Sequence, residues 1–167
     1  MLFDKAVYKD QEYICRKITS KRIEIRSYVQ TNADLCYFSR GGYWCKCVYI
    51  SDCEEYRKFS GYAVYNGEKA EIYDVDANNK EIGVIAYSSW DYSDDFVNKV
   101  LKGQNGRDIY SKCDANLFHE FLISDCNTEE KNVISLEQLM KNMSLYNYGV
   151  LIWDLAEGGS FISASLK

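Results

Sequence analysis

Seven cysteines and one histidine are the side chains of this sequence best suited to covalent or metal chemistry. The cysteines stand at 15, 36, 45, 47, 53, 113 and 126, and the histidine is His119. His119 lies between Cys113 and Cys126, so a Cys–His nucleophile pair is conceivable. No third orienting group, oxyanion loop or nucleophile elbow accompanies it. Cys45-x-Cys47, with Cys36 and Cys53 nearby, invites a zinc reading, but structural zinc sites favour wider Cys-x(2–4)-Cys pairs. Buried free cysteine is the common alternative. Asp74-x-Asp76-x-Asn78 opens like a calcium loop. Asn79 and Ile85, however, stand where that loop needs Gly and a bidentate Glu. Gly103-Gln-Asn-Gly106 is a link and not a phosphate loop. The expectation is therefore no catalytic residue, no metal, no cofactor and reduced, unpaired thiols.

The distribution of charge is more informative. The chain carries a formal net charge of −5, and the whole excess lies in Trp90–Glu130. That stretch holds nine acids and four bases, whereas residues 1–89 hold 13 of each and residues 131–167 three of each. Such asymmetry concerns partners more than fold. Asp91, Asp94, Asp95, Asp108, Asp114, Glu120, Asp125, Glu129 and Glu130 are the acids, and Trp90, Tyr92 and Tyr110 stand among them. Helix-end preferences and a solvated face account for the acids individually. They leave the segregation unexplained. Bases and acids are interleaved elsewhere, which argues against phosphate binding and so against a nucleic-acid partner.

The elements that must position these residues can be read from periodicity. The chain has 167 residues, 15 tyrosines and no proline, so Gly, Asn and Asp must make its turns. The first ~90 residues alternate with period 2 and read as strands. These are Lys5–Lys9, Glu12–Ile18, Arg22–Arg26, Leu35–Arg40, Tyr43–Ile50, Gly61–Tyr65, Lys69–Val75 and Glu81–Tyr87. In the third, Ile23 and Ile25 point in while Glu24 and Arg26 point out. Gly41-Gly42, Asn66-Gly67 and Asn78-Asn79 are the turns. From Trp90 the spacing turns helical. Helices are predicted over Ser93–Lys102, Ala115–Ile123 and Leu136–Ser144, with Gln104–Cys113 and Ser124–Lys131 as polar connections. Tyr148–Asp154 and Phe161–Leu166 read as closing strands. The fold class is α+β: a mostly antiparallel twisted sheet or partial barrel first, then about three helices. A single domain over 1–167 is expected, strand-rich over 1–89, helix-containing over 90–147 and closed by strands over 148–166. The start shows no signal peptide and no span suited to a membrane, so a cytoplasmic location is expected.

The opening Phe3-Asp-Lys-Ala-Val-Tyr-Lys-Asp-Gln-Glu-Tyr hairpin resembles the starts of small bacterial immunity proteins of polymorphic-toxin and contact-dependent growth inhibition systems. Size and acidity fit the same type. The resemblance implies a cytoplasmic, non-enzymatic inhibitor that occludes the active site or groove of a cognate toxin domain, often a nuclease. A nuclease groove is basic, so carboxylates steer an inhibitor toward it and aromatic side chains anchor it. The expected toxin-binding residues are the nine acids with Trp90, Tyr92 and Tyr110. Two alternatives stay open: a Cys/His-dependent enzyme using His119 with Cys113 or Cys126, and an oligomeric adaptor joined by edge strands.

Overall fold

The computed structural model describes residues 2–148 and, as backbone only, the short strands β12 (Leu151–Trp153) and β13 (Phe161–Ser163). The chain forms two compact units. One comprises Phe3–Arg57 and Ser144–Lys167, the other Met1–Leu2 and Lys58–Met143. β-Structure dominates, and the strands pair antiparallel, as the period-2 patterning requires.

In the first unit the strand order is β4 (Cys36–Phe38), β5 (Tyr43–Tyr49), β3 (Arg22–Ser27), β2 (Gln11–Lys17), β1 (Phe3–Tyr8). Ala6, Tyr13, Cys15, Ile23, Ile25 and Val48 form its apolar core. The opposite face of β3 is buried as well. Glu24 and Arg26 are 0% and 1% exposed, contrary to the outward placement read from alternation. Arg26 Nε donates to Glu24 Oε1 at 2.7 Å. Its Nη1 donates to the carbonyls of Leu145 (2.9 Å), Tyr146 (3.2 Å) and Tyr148 (2.8 Å). Arg16 Nη1 reaches the last two at 3.2 Å. These carbonyls lie at and just beyond the end of helix α2 (Leu136–Asn147), where backbone acceptors lack helical partners and the dipole favours cations. The charges are inside because they terminate a helix.

In the second unit the order is β11 (Lys131–Ile134), β10 (Glu120–Asp125), β6 (Glu55–Tyr65), β7 (Glu68–Asp76), β8 (Glu81–Ser88), β9 (Arg107–Asp114). One face buries Ala63, Ile72, Val84, Ile109 and Phe121. Asn66 (φ +48°) and Gly67 (φ +81°) make the tight hairpin between β6 and β7 that the Asn-Gly pair predicts. Helix α1 (Asp94–Lys99) starts where Ser93 predicts: Ser93 Oγ accepts from Phe96 N at 3.2 Å. Ser135 caps α2 through Gln138 N at 3.1 Å, but the Gln138 amide turns forward to Asn142 Oδ1 at 2.7 Å instead of closing a capping box.

Two predicted segments differ. Ala115–Ile123 is not a helix: Asp114 caps one 3-10 turn, Ala115–Leu117, and β10 follows. Two α-helices, not three, occur among the described residues. Gln104–Cys113 is not a link but contains most of β9, with Ile109, Ser111 and Cys113 inward and Tyr110, Lys112 and Asp114 outward. Among the described residues no helix is long and apolar enough to cross a membrane.

A tyrosine-bearing acidic face as the candidate functional site

Directly opposed residues of an antiparallel pair point to the same side. In the second unit the register therefore defines one continuous outward row: Val133 on β11, Leu122 on β10, Tyr62 on β6, Glu71 on β7, Ile85 on β8 and Tyr110 on β9. Within the row Ile85 is buried at 7% exposure, Tyr62 is half-buried with Lys69 Nζ 5.4 Å over its ring, and Tyr110 is open. On the same face Tyr73, Tyr87 and Tyr110 are 40%, 59% and 57% exposed, and Val133 is exposed on β11 at the opposite end of the strand order.

Local irregularity sets the density of this face. The register of β7 against β8 shifts between Ile72 and Asp74. A bulge of this kind adds one residue to one strand. Ile72 stays inside, while Tyr73 and Asp74 both reach the outer side. The Tyr73 ring then lies on Gly83, where a Cβ would come within 2.6 Å of Tyr73 Cζ. A side chain there would displace the ring. The same ring meets Tyr110 edge-on at 5.1 Å between centroids. Tyr87 donates its hydroxyl to Glu71 Oε2 at 2.7 Å, and that carboxylate pushes the phenol up to about 12. The rings are thus placed against a glycine, against each other and on a carboxylate, which restricts their rotamer freedom.

The charges on this face are chiefly negative. Glu71, Asp74, Glu81, Asp108, Asp114 and Glu120 stand on its strands. Lys69, Lys112 and Lys131 are interleaved. Lys112 Nζ lies 3.7 Å from Asp74 Oδ2. Lys131 beside Lys69 lowers the latter's pKa.

The residues expected from the charge count are dispersed over the second unit. Asp108, Tyr110, Asp114 and Glu120 fall on the face just described. Asp114 also caps the following turn, accepting from Asn116 N at 2.8 Å. Trp90 and Asp91 sit in a 3-10 turn after β8, with Trp90 71% exposed. Tyr92 is a structural lid: it stacks on Phe96 at 4.1 Å and donates to Lys69 O at 2.9 Å. Asp94 and Asp95 occupy the first turn of α1, where Asp95 accepts from Tyr65 Oη at 2.8 Å. Asp125 is buried, and its Oδ1 accepts from Asn127 N (2.8 Å) and Thr128 N (3.3 Å) in the turn after β10. Glu129 and Glu130 close that turn and are exposed. Tyr62, Glu71, Tyr73, Ile85 and Tyr87 belong to the face but precede Trp90, so a charge count over sequence windows does not select them. The alternation in Lys69–Val75 and Glu81–Tyr87 carries them.

No family model, curated protein or solved structure matches the chain.

The thiol and histidine geometry is of a different kind. Cys126 N bonds Lys58 O, whereas His119 N bonds Val64 O. Six residues of strand separate those two points, about 20 Å. His119 stacks on Tyr65 at 6.0 Å. Cys113 is buried, its Sγ 3.2 Å from Val100 O, and burial raises its pKa, the opposite of an activated thiolate. In the calcium-like segment, Asp76 Oδ1 accepts from Asn78 N and Asn79 N, both at 3.0 Å, and Asn79 Nδ2 donates to Oδ2 at 2.8 Å. The Asn79 contacts lead in holding this carboxyl below its ordinary pKa. The carboxylate serves its own hairpin.

Proposed function

We propose that the chain is a protein-binding inhibitor of the immunity type, which neutralises a cognate basic toxin domain through the outer face of β6–β9. One observation carries the reading: four tyrosines, the exposed Tyr73, Tyr87 and Tyr110 and the half-buried Tyr62, share one sheet face with an excess of carboxylates. Tyrosine offers large rigid contact area at small entropic cost and is enriched among interface anchors. Carboxylates around it steer a cationic partner and suppress anionic ones. The opening hairpin supplies the immunity-protein resemblance and hence the toxin as the partner class.

The reading is tested by sequencing the genes that flank its own and co-expressing the chain with the C-terminal domain of a large upstream gene; the reading expects that domain to be toxic. The wild type protects the cell. Tyr73→Ala with Tyr110→Ala weakens binding about 30-fold or more, the range of anchor residues, while the circular dichroism spectrum is retained. Glu71→Lys with Asp108→Lys slows association by about tenfold. Undiminished binding by both folded variants would remove the face from the interface. A folded chain that fails to protect would remove the inhibitor reading itself.

A further inference from the structure

The first unit holds a feature that the acidic face does not involve. β4 is the outermost strand of that sheet, and Cys36 on it is the direct register partner of Cys45 on β5. The two side chains therefore share a face. Opposed residues of an antiparallel pair have Cα atoms ~4.5–5.5 Å apart, inside the ~4.4–6.8 Å that a disulfide spans. Cys36 is exposed and Cys45 lies fully buried beside it. We propose that Cys36 and Cys45 form a thiol–disulfide exchange site that closes into a cross-strand disulfide on reaction with a low-molecular-weight disulfide of the glutathione type.

The chemistry proceeds in two exchanges. The Cys36 thiolate attacks one sulfur of glutathione disulfide; a mixed disulfide forms on Cys36, and one glutathione leaves and takes a proton from water. Cys45 then gives its proton to water and attacks Cys36 Sγ, and the second glutathione leaves. Two protein thiols lose two electrons, and one glutathione disulfide becomes two glutathione thiols. The exposed residue meets the oxidant and the buried one resolves it. Cys47 faces the same side of β5 but lies diagonal to Cys36, and its thiol is engaged by Arg22.

The surroundings of Cys45 set the rate of the second step. Burial pushes its thiol up to about 12, Glu24 on β3 adds to this, Arg26 on β3 opposes it and Cys36 on β4 raises it further. Tyr43, two residues before it on β5, is itself held neutral by burial. Closure is therefore slow at neutral pH and accelerates about tenfold per pH unit, because only the thiolate attacks.

The experiment starts from the reduced full chain, treated with glutathione disulfide and followed by intact mass and tryptic mapping. Cleavage at Arg40 places the two cysteines on separate peptides. The expected product has lost two hydrogens and joins those peptides through Cys36 and Cys45. Cys36→Ser and Cys45→Ser abolish it, and Cys47→Ser leaves it. Glutathione persisting on Cys36 at about pH 9 without closure, a Cys36–Cys47 link, or the same yield in urea-unfolded chain would overturn the proposal.

Discussion

Replacing Arg26 by methionine isolates the buried charge that ends helix α2. The methionine stem keeps much of the apolar contact and removes the guanidinium. Lost with it are the 2.7 Å ion pair to Glu24 and donors to the carbonyls of Leu145, Tyr146 and Tyr148. Arg16 still serves the last two carbonyls, so the Leu145 carbonyl and Glu24 bear most of the cost. Breaking a fully buried pair from one side costs about 3–5 kcal/mol. The lower end applies here because Arg16 remains. At about 2–4 °C per kcal/mol for a chain of this size, the melting temperature falls by about 6–12 °C. The assay is urea unfolding followed by far-ultraviolet circular dichroism, for Arg26→Met, Glu24→Leu and the double variant. The double variant is more stable than Arg26→Met alone, since it removes the carboxylate that lost its guanidinium, and the coupling exceeds about 1 kcal/mol. A loss under about 1 kcal/mol for Arg26→Met would be the value of an exposed pair and would refute the reasoning. So would strict additivity.

Ser93→Ala removes the α1 cap and its hydrogen bond to Glu68 Oε2 at 2.6 Å; urea titration gives a loss of about 1–2 kcal/mol. Gly83→Ala drives its Cβ into the Tyr73 ring, whose far end can swing away. Stability falls by about 1 kcal/mol or less, while ring-proton shifts of Tyr73 and Tyr110 report that their contact is broken. Alkaline stability tests the first unit. Burial is the leading cause that raises the pKa values of Cys15, Cys45, Tyr43 and Tyr56 in the folded chain. Between the unfolded and folded values the unfolded chain binds fewer protons, so stability is full below about pH 8 and falls as pH rises, thiols first and phenols above about pH 10. A flat urea midpoint up to about pH 11 contradicts that burial.

Legibility in the sequence followed how much of a pattern lay in side-chain type. Strand β7 announces itself because apolar residues alternate with polar ones, and β5 and β8 because short apolar, aromatic-rich runs lie between turn signals. β9 does not, since two of its three inward residues are Ser111 and Cys113. Ser111 is tolerated inside because its hydroxyl donates to Val100 O at 2.6 Å, a partner supplied by a segment distant in sequence. The Leu117–Leu122 run fits helical spacing and strand spacing alike. Pairing with β6 decides between them, and pairing is a long-range property. Glu24 and Arg26 read as solvent-facing because a strand pattern does not reveal a helix end waiting for donors. Of the candidate site, the charge asymmetry finds Asp108, Tyr110, Asp114 and Glu120. The tyrosines on β7 and β8 join them only through register.

The bulge in β7 gives the second unit an uncommon freedom. Along a regular strand the two faces are counted together: every residue added outside displaces one inside. At Tyr73 the count is broken, so the outer side holds an extra aromatic while Ile72 and Val75 keep their inner places. The outer side and the core side of this sheet can therefore change in sequence independently at this point. The residue at this one position can be added, dropped or exchanged without renegotiating the interior.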